Sequence, residues 1–258
     1  MCKKVLLSFD TEEFDMPRER GGEISVEEGV KISSEGIGKI LKILRKKKVK
    51  ATFFVTGNFA KYNPELVEKI IADGHEVGAH GVDHFVRKNG EIGEAKKILE
   101  KVTKKKVVGW RQPRMGKIDY EELRRCGYKY DSSVNPAFIP GRYNNSKISR
   151  GPFTVNGILE IPASVATFLR IPTFWLALHL FPFWFYKFLA KRALKETGLF
   201  VVYFHPWEFT DLYKFKIIPW YVKWNSGEKL EKRLEKLIEK LSDCDFVTYD
   251  ELDSVFVK

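Results

Sequence analysis

The chain has 258 residues, of which 44% are hydrophobic and 31% are charged, a composition that supports a folded core and argues against disorder. Its formal net charge of +11 indicates either an acidic partner or a solvated, lysine-rich surface. No nucleic-acid-binding motif accompanies the lysines, so we expect no nucleic-acid partner. The three cysteines, Cys2, Cys126 and Cys244, are too widely spaced for a zinc motif or a disulfide framework, which favours a reducing compartment.

The first half of the chain alternates apolar strand patterns with amphipathic helix patterns. Predicted strands cover Val5 to Phe9, Ala51 to Thr56, a run that ends at Gly78, Val107 to Trp110, and Tyr128 to Tyr130. Predicted helices cover Ile32 to Lys48, a segment that begins at Pro64, Ile92 to Thr103, and Ile118 to Cys126. This order is typical of a parallel sheet or barrel.

The second half continues the pattern after a long loop, predicted from Pro136 to Pro152 by its Gly, Pro and Asn residues. Further strands are predicted at Leu159 to Pro162, Leu199 to Phe204 and Asp245 to Tyr249, with a helix at Lys229 to Leu241 and a short final helix from Asp250. No repeat or linker divides the chain. We therefore expect one domain, residues 1–258.

The segment from Phe168 to Leu189 is the most apolar and aromatic part of the chain. Its uncharged stretch is too short to span a bilayer, and Pro172 and Pro182 interrupt it. It is either a core or groove-lining helix, or an interfacial patch supported by the basic residues that follow it. Because no signal peptide precedes the first strand, we expect a cytoplasmic protein, with peripheral membrane contact as the alternative.

Polar residues follow several of the predicted strands. His80 and His84 are four residues apart, so on a helical turn both imidazoles could face one metal ion, although an unrelated pair of histidines would look the same. The run from Asp10 to Asp15 is either a solvated acidic loop or a source of metal ligands and bases at a barrel mouth. His205 follows another strand and is a general acid, a metal ligand or a packing residue.

Together these residues resemble a known family. The strings Ser8-Phe9-Asp10-Thr11-Glu12, His80-Gly81-Val82-Asp83-His84, Arg111-Gln112-Pro113 and Phe204-His205 have the order and spacing of the polysaccharide deacetylase (NodB-homology) family, carbohydrate esterase family four. The string His205-Pro206-Trp207-Glu208 is similar to the branch often found with exopolysaccharide gene clusters. The resemblance implies an α/β fold, a single-domain distorted (β/α) barrel of about seven parallel strands. It also implies metal-dependent removal of N- or O-acetyl groups from an acetylated sugar or oligosaccharide.

The resemblance also implies roles for individual residues. Asp10 would be the catalytic base, paired with Arg111, and His205 would be the general acid. His80 and His84 would bind a divalent metal, with Zn²⁺ as the first choice and Co²⁺, Mn²⁺ or Ni²⁺ as alternatives. Three further assignments are Glu160 as a residue that orients His205, Asp83 as a partner of the metal-binding histidines or a solvated residue, and Trp207 as a substrate contact.

One position departs from the family pattern. Thr11 stands where the commonest pattern has a second aspartate, so Glu12 is assigned as the third metal ligand and Glu13 is the fallback. Residues i and i+2 of a strand project to the same side, which supports Glu12. A metal-free amide hydrolase or a non-catalytic carbohydrate-binding protein remains an alternative, as does a deacylase of a polyprenyl-linked sugar at a membrane. The sequence does not specify an oligomeric state.

Overall fold

The computed structural model describes residues 3–86, 88–139, 143–166 and 169–256. The strands in this part of the chain are β1 (Lys4–Thr11), β2 (Thr52–Val55), β3 (Glu76–Ala79), β4 (Gly109–Trp110), β5 (Tyr130–Asp131), β6 (Phe138–Ile139), β7 (Tyr143–Asn144), β8 (Phe153–Val155), β9 (Ile158–Glu160), β10 (Val165–Ala166), β11 (Ile171–Pro172), β12 (Leu199–Phe204) and β13 (Asp245–Phe246). The α-helices are α1 (Met16–Glu19), α2 (Val26–Lys47), α3 (Gly57–Tyr62), α4 (Pro64–Ala72), α5 (Glu91–Thr103), α6 (Tyr120–Arg125), α7 (Trp175–Leu180), α8 (Phe183–Thr197), α9 (Trp220–Lys223), α10 (Glu228–Lys240) and α11 (Tyr249–Phe256), and single 3₁₀ turns form at Pro113–Met115 and Pro206–Phe209.

The main sheet has the strand order β12-β1-β2-β3-β4-β5-β9-β8, and β13 pairs with the start of β1. The seven strands from β12 to β9 along this path run parallel, whereas β8 is antiparallel to β9. The sheet curls so that the segment after β9 reaches β12 at the other end. A backbone hydrogen bond joins the two, from Ser164 N to Val201 O of β12 at 2.9 Å. The predicted distorted (β/α) barrel of about seven parallel strands is confirmed.

Alternating side chains of the strands build two apolar layers. Leu6, Phe54 and Tyr130 belong to a buried cluster inside the barrel, whereas Phe9 and Phe53 belong to the cluster that the outer helices cover. Helix α2 is longer than predicted, because its N-cap is Ser25, whose Oγ accepts a hydrogen bond from the Glu28 backbone N–H. This cap was overlooked in a stretch that resembles a polar loop.

The apolar segment predicted from Phe168 to Leu189 has both buried and exposed side chains. Phe168 itself lies outside the described residues. Leu178, His179 and Tyr186 are buried, which matches the core-lining interpretation. Trp184 and Phe188, on the outer face of α8, are 69% and 53% exposed. Within the described ranges, no helix has the length and apolar character needed to cross a bilayer.

The predicted loop from Pro136 to Pro152 contains the short antiparallel pair β6–β7, and residues 140–142 within it lie outside the described residues. The predicted final strand is shorter than expected, because β13 ends at Phe246 and α11 begins at Tyr249.

Candidate active site

Five of the predicted site residues meet at the carboxyl ends of neighbouring strands. Asp10 lies near the end of β1 and Glu12 just beyond it, His80 and His84 follow β3, and His205 follows β12. All five line one cavity of about 760 Å³. Because the carboxyl ends of parallel strands share one rim, the sheet order alone accounts for this convergence.

The carboxylate of Glu12 and the two histidines form a compact, buried group. Glu12 Oε2 lies 2.9 Å from His84 Nε2 and 3.4 Å from His80 Nε2. In a tetrahedral zinc site the ligand atoms are separated by about 3.4 Å, so these spacings match a metal-binding set. The predicted helical turn is wrong, because His80 and His84 lie in a non-helical loop that turns at Gly81, where φ is +77°. The loop still brings the two Nε2 atoms together.

The hydrogen bonds on the far side of each ring define which nitrogen is free. His80 Nδ1 lies 2.8 Å from the Arg111 carbonyl oxygen, and His84 Nδ1 lies 3.0 Å from Asp15 Oδ2. Both partners are acceptors, so each Nδ1 carries a hydrogen, and in the neutral form of each ring Nε2 directs a lone pair at Glu12. Glu12 Oε2 is itself buried without a hydrogen bond. Three electron-rich atoms that face one another require a cation between them, so the donor set fits a divalent metal.

The pKa shifts of Glu12 and His84 indicate how the two side chains are protonated when no metal is bound. Burial acts to raise the pKa of Glu12, but the charge of His84 and the proximity of His80 hold that pKa well below its ordinary value. Burial acts to lower the pKa of His84, but the charge of Glu12 and the hydrogen bond to Asp15 raise it well above its ordinary value. A proton therefore remains on His84 in the metal-free protein, and a metal ion has to displace it.

Arg111 is fully buried beneath the cavity and is bonded through all of its N–H groups. Its Nη1 donates to Asp10 Oδ1 at 2.7 Å and to Ser8 Oγ at 2.8 Å. Its Nη2 donates to Ser132 Oγ and Tyr249 OH, and its Nε donates to the Ser132 carbonyl oxygen. Burial acts to lower the pKa of Arg111, but Asp10 and Tyr249 raise it, so Asp10 always has a positive charge beside it.

His205 is held by the 3₁₀ turn that follows it. Its Nδ1 lies 2.7 Å from Glu208 Oε1, and its ring stacks on Trp207 with the centroids 4.8 Å apart. Trp207 in turn donates from Nε1 to Glu12 Oε1 at 3.0 Å. Burial acts to lower the pKa of His205, but the hydrogen bond to Glu208 and the charges of Glu12 and Asp10 raise it above its ordinary value.

The assignment of Glu160 as the residue that orients His205 is wrong. Glu160 accepts hydrogen bonds from Tyr120 OH and the Val134 backbone N–H, because its side chain projects from β9 toward the helix-covered outside of the barrel. The carboxylate that contacts the ring of His205 is Glu208. It was visible in the sequence as the last residue of the His-Pro-Trp-Glu string, three residues after His205, but was given no role.

Asp83 is also not a partner of His80 or His84. Its oxygens accept from the backbone N–H groups of Phe85 and Val86 and from Asn58 Nδ2, so it shapes the loop between β3 and α5. The carboxylate that contacts His84 at Nδ1, on the side away from Glu12, is Asp15, a member of the acidic run after β1 that was not singled out.

Glu13 does not join the metal-binding group, because its Oε2 accepts from Thr56 Oγ1. His179, which lies against Glu208, was missed altogether, since a lone histidine in an apolar helix gives no signal.

Two family profiles divide the chain between them. Residues 2–130 match the profile described as polysaccharide deacetylase, and residues 132–254 match one described as a domain of unknown function (DUF3473). The chain therefore belongs to the polysaccharide deacetylase family. It is 30% identical to the peptidoglycan-N-acetylmuramic acid deacetylase PdaA of Bacillus subtilis over 119 residues, which cover 42% of this chain and 45% of that protein. The chain matches less than half the length of the curated relatives compared with it.

Solved structures with the same fold include a protein assigned to the polysaccharide deacetylases and a pseudoenzyme of the CE4 family. A Mycobacterium smegmatis protein assigned to the polysaccharide deacetylases is similar with a TM-score of 0.67 and 18% identity, over 99% of this chain and 91% of that one. A CE4 family pseudoenzyme from Bacillus anthracis is similar with a TM-score of 0.55 and 17% identity, over 98% of this chain and 66% of that one. At these identities the similarity establishes the fold, and the chemistry has to be argued from the site.

Proposed function

We propose that the protein is a metal-dependent deacetylase that hydrolyses N- or O-acetyl groups of a sugar-containing substrate. The observation that carries this proposal is the convergence of Glu12 Oε2 and the Nε2 atoms of His80 and His84 on one point of the cavity that Asp10 and His205 also line. A divalent ion bound there would act as a Lewis acid, polarising the acyl carbonyl and favouring the ionisation of water near neutral pH.

The chain's own residues would supply the proton transfers. Asp10, held beside Arg111, accepts the proton that the attacking water gives up as its oxygen bonds to the acyl carbon. The bond from that carbon to the sugar nitrogen or oxygen then breaks. Burial acts to lower the pKa of His205, but its hydrogen bond to Glu208 and the charge of Glu12 raise it, which favours the protonated ring that donates a proton to the leaving group. Since Glu208 occupies Nδ1, the donating atom is Nε2.

The substrate class is argued from the cavity and from relatives. A volume of about 760 Å³ accommodates one or more sugar rings, and the partly exposed Trp175 gives it an aromatic wall on which a ring can pack. Trp207 also lines the cavity, but it is buried and stacks on His205. The relative PdaA is named as a peptidoglycan-N-acetylmuramic acid deacetylase. We therefore place N-acetylated glycans first among candidate substrates and Zn²⁺ first among metals, with Co²⁺, Mn²⁺ and Ni²⁺ next.

A screen for acetate release tests the proposal. Metal-stripped protein is assayed on N-acetylated oligosaccharides and on O-acetylated sugars, with each of the four ions added in turn. We expect activity to return with metal and to be lost in Asp10→Asn and His80→Ala, both measured on folded protein. Protein that binds no metal by elemental analysis and releases no acetate from any of these substrates would refute the proposal. That result would favour a non-catalytic or metal-free protein. The inward orientation of Glu12, toward His84, argues against both alternatives.

A second candidate is the same reaction on a lipid-linked sugar at a membrane surface. Trp184 and Phe188 project from the outer face of α8, and the exposed residues Lys191 and Arg192 follow on the same helix. Exposed aromatic rings beside basic residues are typical of helices that bind anionic bilayers. Co-sedimentation with vesicles of anionic lipid, compared between the wild type and Trp184→Ser/Phe188→Ser, tests this candidate. Equal binding of both proteins, or none by either, would exclude it.

A further inference from the structure

A second histidine is buried behind the proposed general acid. His179, on α7, has no solvent exposure, and its Nε2 lies 2.7 Å from Glu208 Oε2. The other oxygen of Glu208, Oε1, accepts the backbone N–H of His205 at 2.6 Å and lies 2.7 Å from His205 Nδ1. The carboxylate is itself fully buried. Glu208 thus joins the two imidazoles in one continuous chain of hydrogen bonds.

The contacts of His179, at the far end of this series of hydrogen bonds, determine how many protons lie between His179 and Glu208. His179 Nδ1 lies 2.7 Å from the Trp224 carbonyl oxygen, which can only accept, so Nδ1 carries a hydrogen. His179 Nε2 then meets Glu208 either as an N–H donor or as the acceptor of a carboxylic proton. Both arrangements place one proton between His179 and Glu208. Such a proton fixes the carboxyl plane, and with it the position of Oε1 under the ring of His205.

The aromatic side chains around the chain of hydrogen bonds hold it in place. The ring of Trp175 meets the rings of His179 and His205 edge-on, with centroids 5.6 and 5.4 Å away. The Asn225 side chain donates to the His179 carbonyl oxygen at 2.6 Å, which ties α7 to the segment after α9. The charged groups that face His205 from the other elements are Glu12 and Asp10. Water is therefore excluded from the Glu208 carboxyl, and its two imidazole partners determine its orientation.

We propose that His179 is a positioning residue for the deacetylation: by binding Oε2 of Glu208 it keeps the Nδ1–H of His205 directed at Glu208, so that Nε2, the proton-donating atom, faces the substrate. The proposal rests on the proposed function, in which His205 is the general acid. It also assigns a role in the reaction to the apolar segment, because α7 and His179 belong to that segment. His179 touches no reacting atom and acts through Glu208.

A pair of amide substitutions separates this role from a structural one. The side chain of His179→Gln is long enough to donate to Glu208, whereas that of His179→Asn, with the same chemistry, is one methylene shorter. We expect His179→Asn to lower kcat on the order of 10–100-fold with KM within about threefold, because a hydrogen bond to a charged group is lost. His179→Gln should stay within about fivefold of the wild type on the same reasoning. His75→Gln, at a buried histidine outside the site, is the matched control and should change nothing.

Activities are compared per folded, metal-loaded molecule, and ¹⁵N NMR of the histidine rings reports the tautomer without substrate. In spectra recorded at a pH where the ring of His205 is neutral, we expect hydrogen on its Nδ1 in the wild type, His179→Gln and Asp10→Asn, and a mixture of tautomers in His179→Asn. Equal kcat in the two His179 variants, or a wild-type His205 without hydrogen on Nδ1, would overturn the proposal. If the wild type releases no acetate, the proposed function fails, and the tautomer comparison still decides whether His179 positions His205. If neither His179 variant folds, the ¹⁵N spectrum of the wild type still tests the proposal, because it shows whether His205 has hydrogen on Nδ1.

Discussion

The proposed third metal ligand, Glu12, gives the sharpest test of the site, because Thr11 stands where the commonest family pattern has an aspartate. Glu12→Gln keeps the shape of the side chain and removes its charge. A unit positive charge held 2.9 Å from the carboxylate, the separation of Glu12 Oε2 and His84 Nε2, would interact with it by about 6 kcal/mol at an effective dielectric constant of about 20, and a divalent ion bound between these atoms would interact with it at least as strongly. If desolvation offsets half of this, about 3 kcal/mol remains, which corresponds to a loss of metal affinity on the order of 100-fold.

Metal affinity is measured by competition with a chromophoric chelator, with Co²⁺ as a spectroscopic probe of the ligand set. Glu13→Gln is the matched control: burial raises the pKa of Glu13 to about 7, and its Oε2 bonds to Thr56, so its substitution should leave affinity within a few-fold. Thr11→Asp should not rescue Glu12→Gln, since Thr11 is fully buried and its hydroxyl donates to the Phe9 carbonyl oxygen. Unchanged affinity in Glu12→Gln, or rescue by Thr11→Asp, would refute the assignment of Glu12.

Three further substitutions probe the surroundings of the site. Asp15→Asn retains an acceptor for His84 Nδ1–H but loses the charge, so metal affinity should fall about 10–100-fold in the same titration. Arg111→Met leaves Asp10 buried without its partner, and urea unfolding should show a loss of about 3–5 kcal/mol; a loss below about 1 kcal/mol would contradict the role of this pair. Burial raises the pKa of Glu76 from 4.5 to about 7, so its contribution to stability is complete below pH 4.5 and is lost as the pH rises through 7. Glu76→Gln should therefore flatten the fall in unfolding free energy between about pH 5 and 7.5, and an unchanged slope would exclude Glu76 as its cause.

Local apolar runs predicted the parallel strands of the main sheet, and the resemblance to the family implied the barrel and the roles of Asp10, His80, His84 and His205. The short strands β6, β7, β8, β10 and β11 were not predicted. Prediction from the sequence also failed where a contact depends on the direction of a side chain. Glu160 has the right position along the chain to approach the rim, but the pleat turns it to the outside of the barrel.

The partners of the histidines were the least predictable part of the site. Asp15 lies past the end of β1, where strand alternation no longer indicates direction, and it contacts His84 at a separation of 69 residues. His179 lies in an apolar helix, and its two partners, Glu208 and Trp224, come from later segments of the chain. Spacing along the sequence therefore identifies groups that share a rim, whereas the acceptors behind each imidazole depend on how loops and helices pack.

The boundary between the two family profiles, at residues 130 and 132, falls within β5, in the middle of the main sheet. Strands from the second matched segment flank those of the first on both sides, as β12 pairs with β1 and β9 pairs with β5. The site is shared in the same way, because Trp207 of the second segment donates to Glu12 of the first.

We propose on this basis that residues 1–258 fold as one domain, since neither matched segment can close the sheet or complete the site alone. Circular dichroism and tryptophan fluorescence should then report one coincident urea transition, and a fragment of residues 1–131 should show no cooperative unfolding and no metal binding. In that fragment β1 would lose its pairing with β12 along the whole run from Lys4 to Phe9 and would keep only its pairing with β2. Two separate transitions, or a folded fragment that binds metal, would show that the matched segments are independent units.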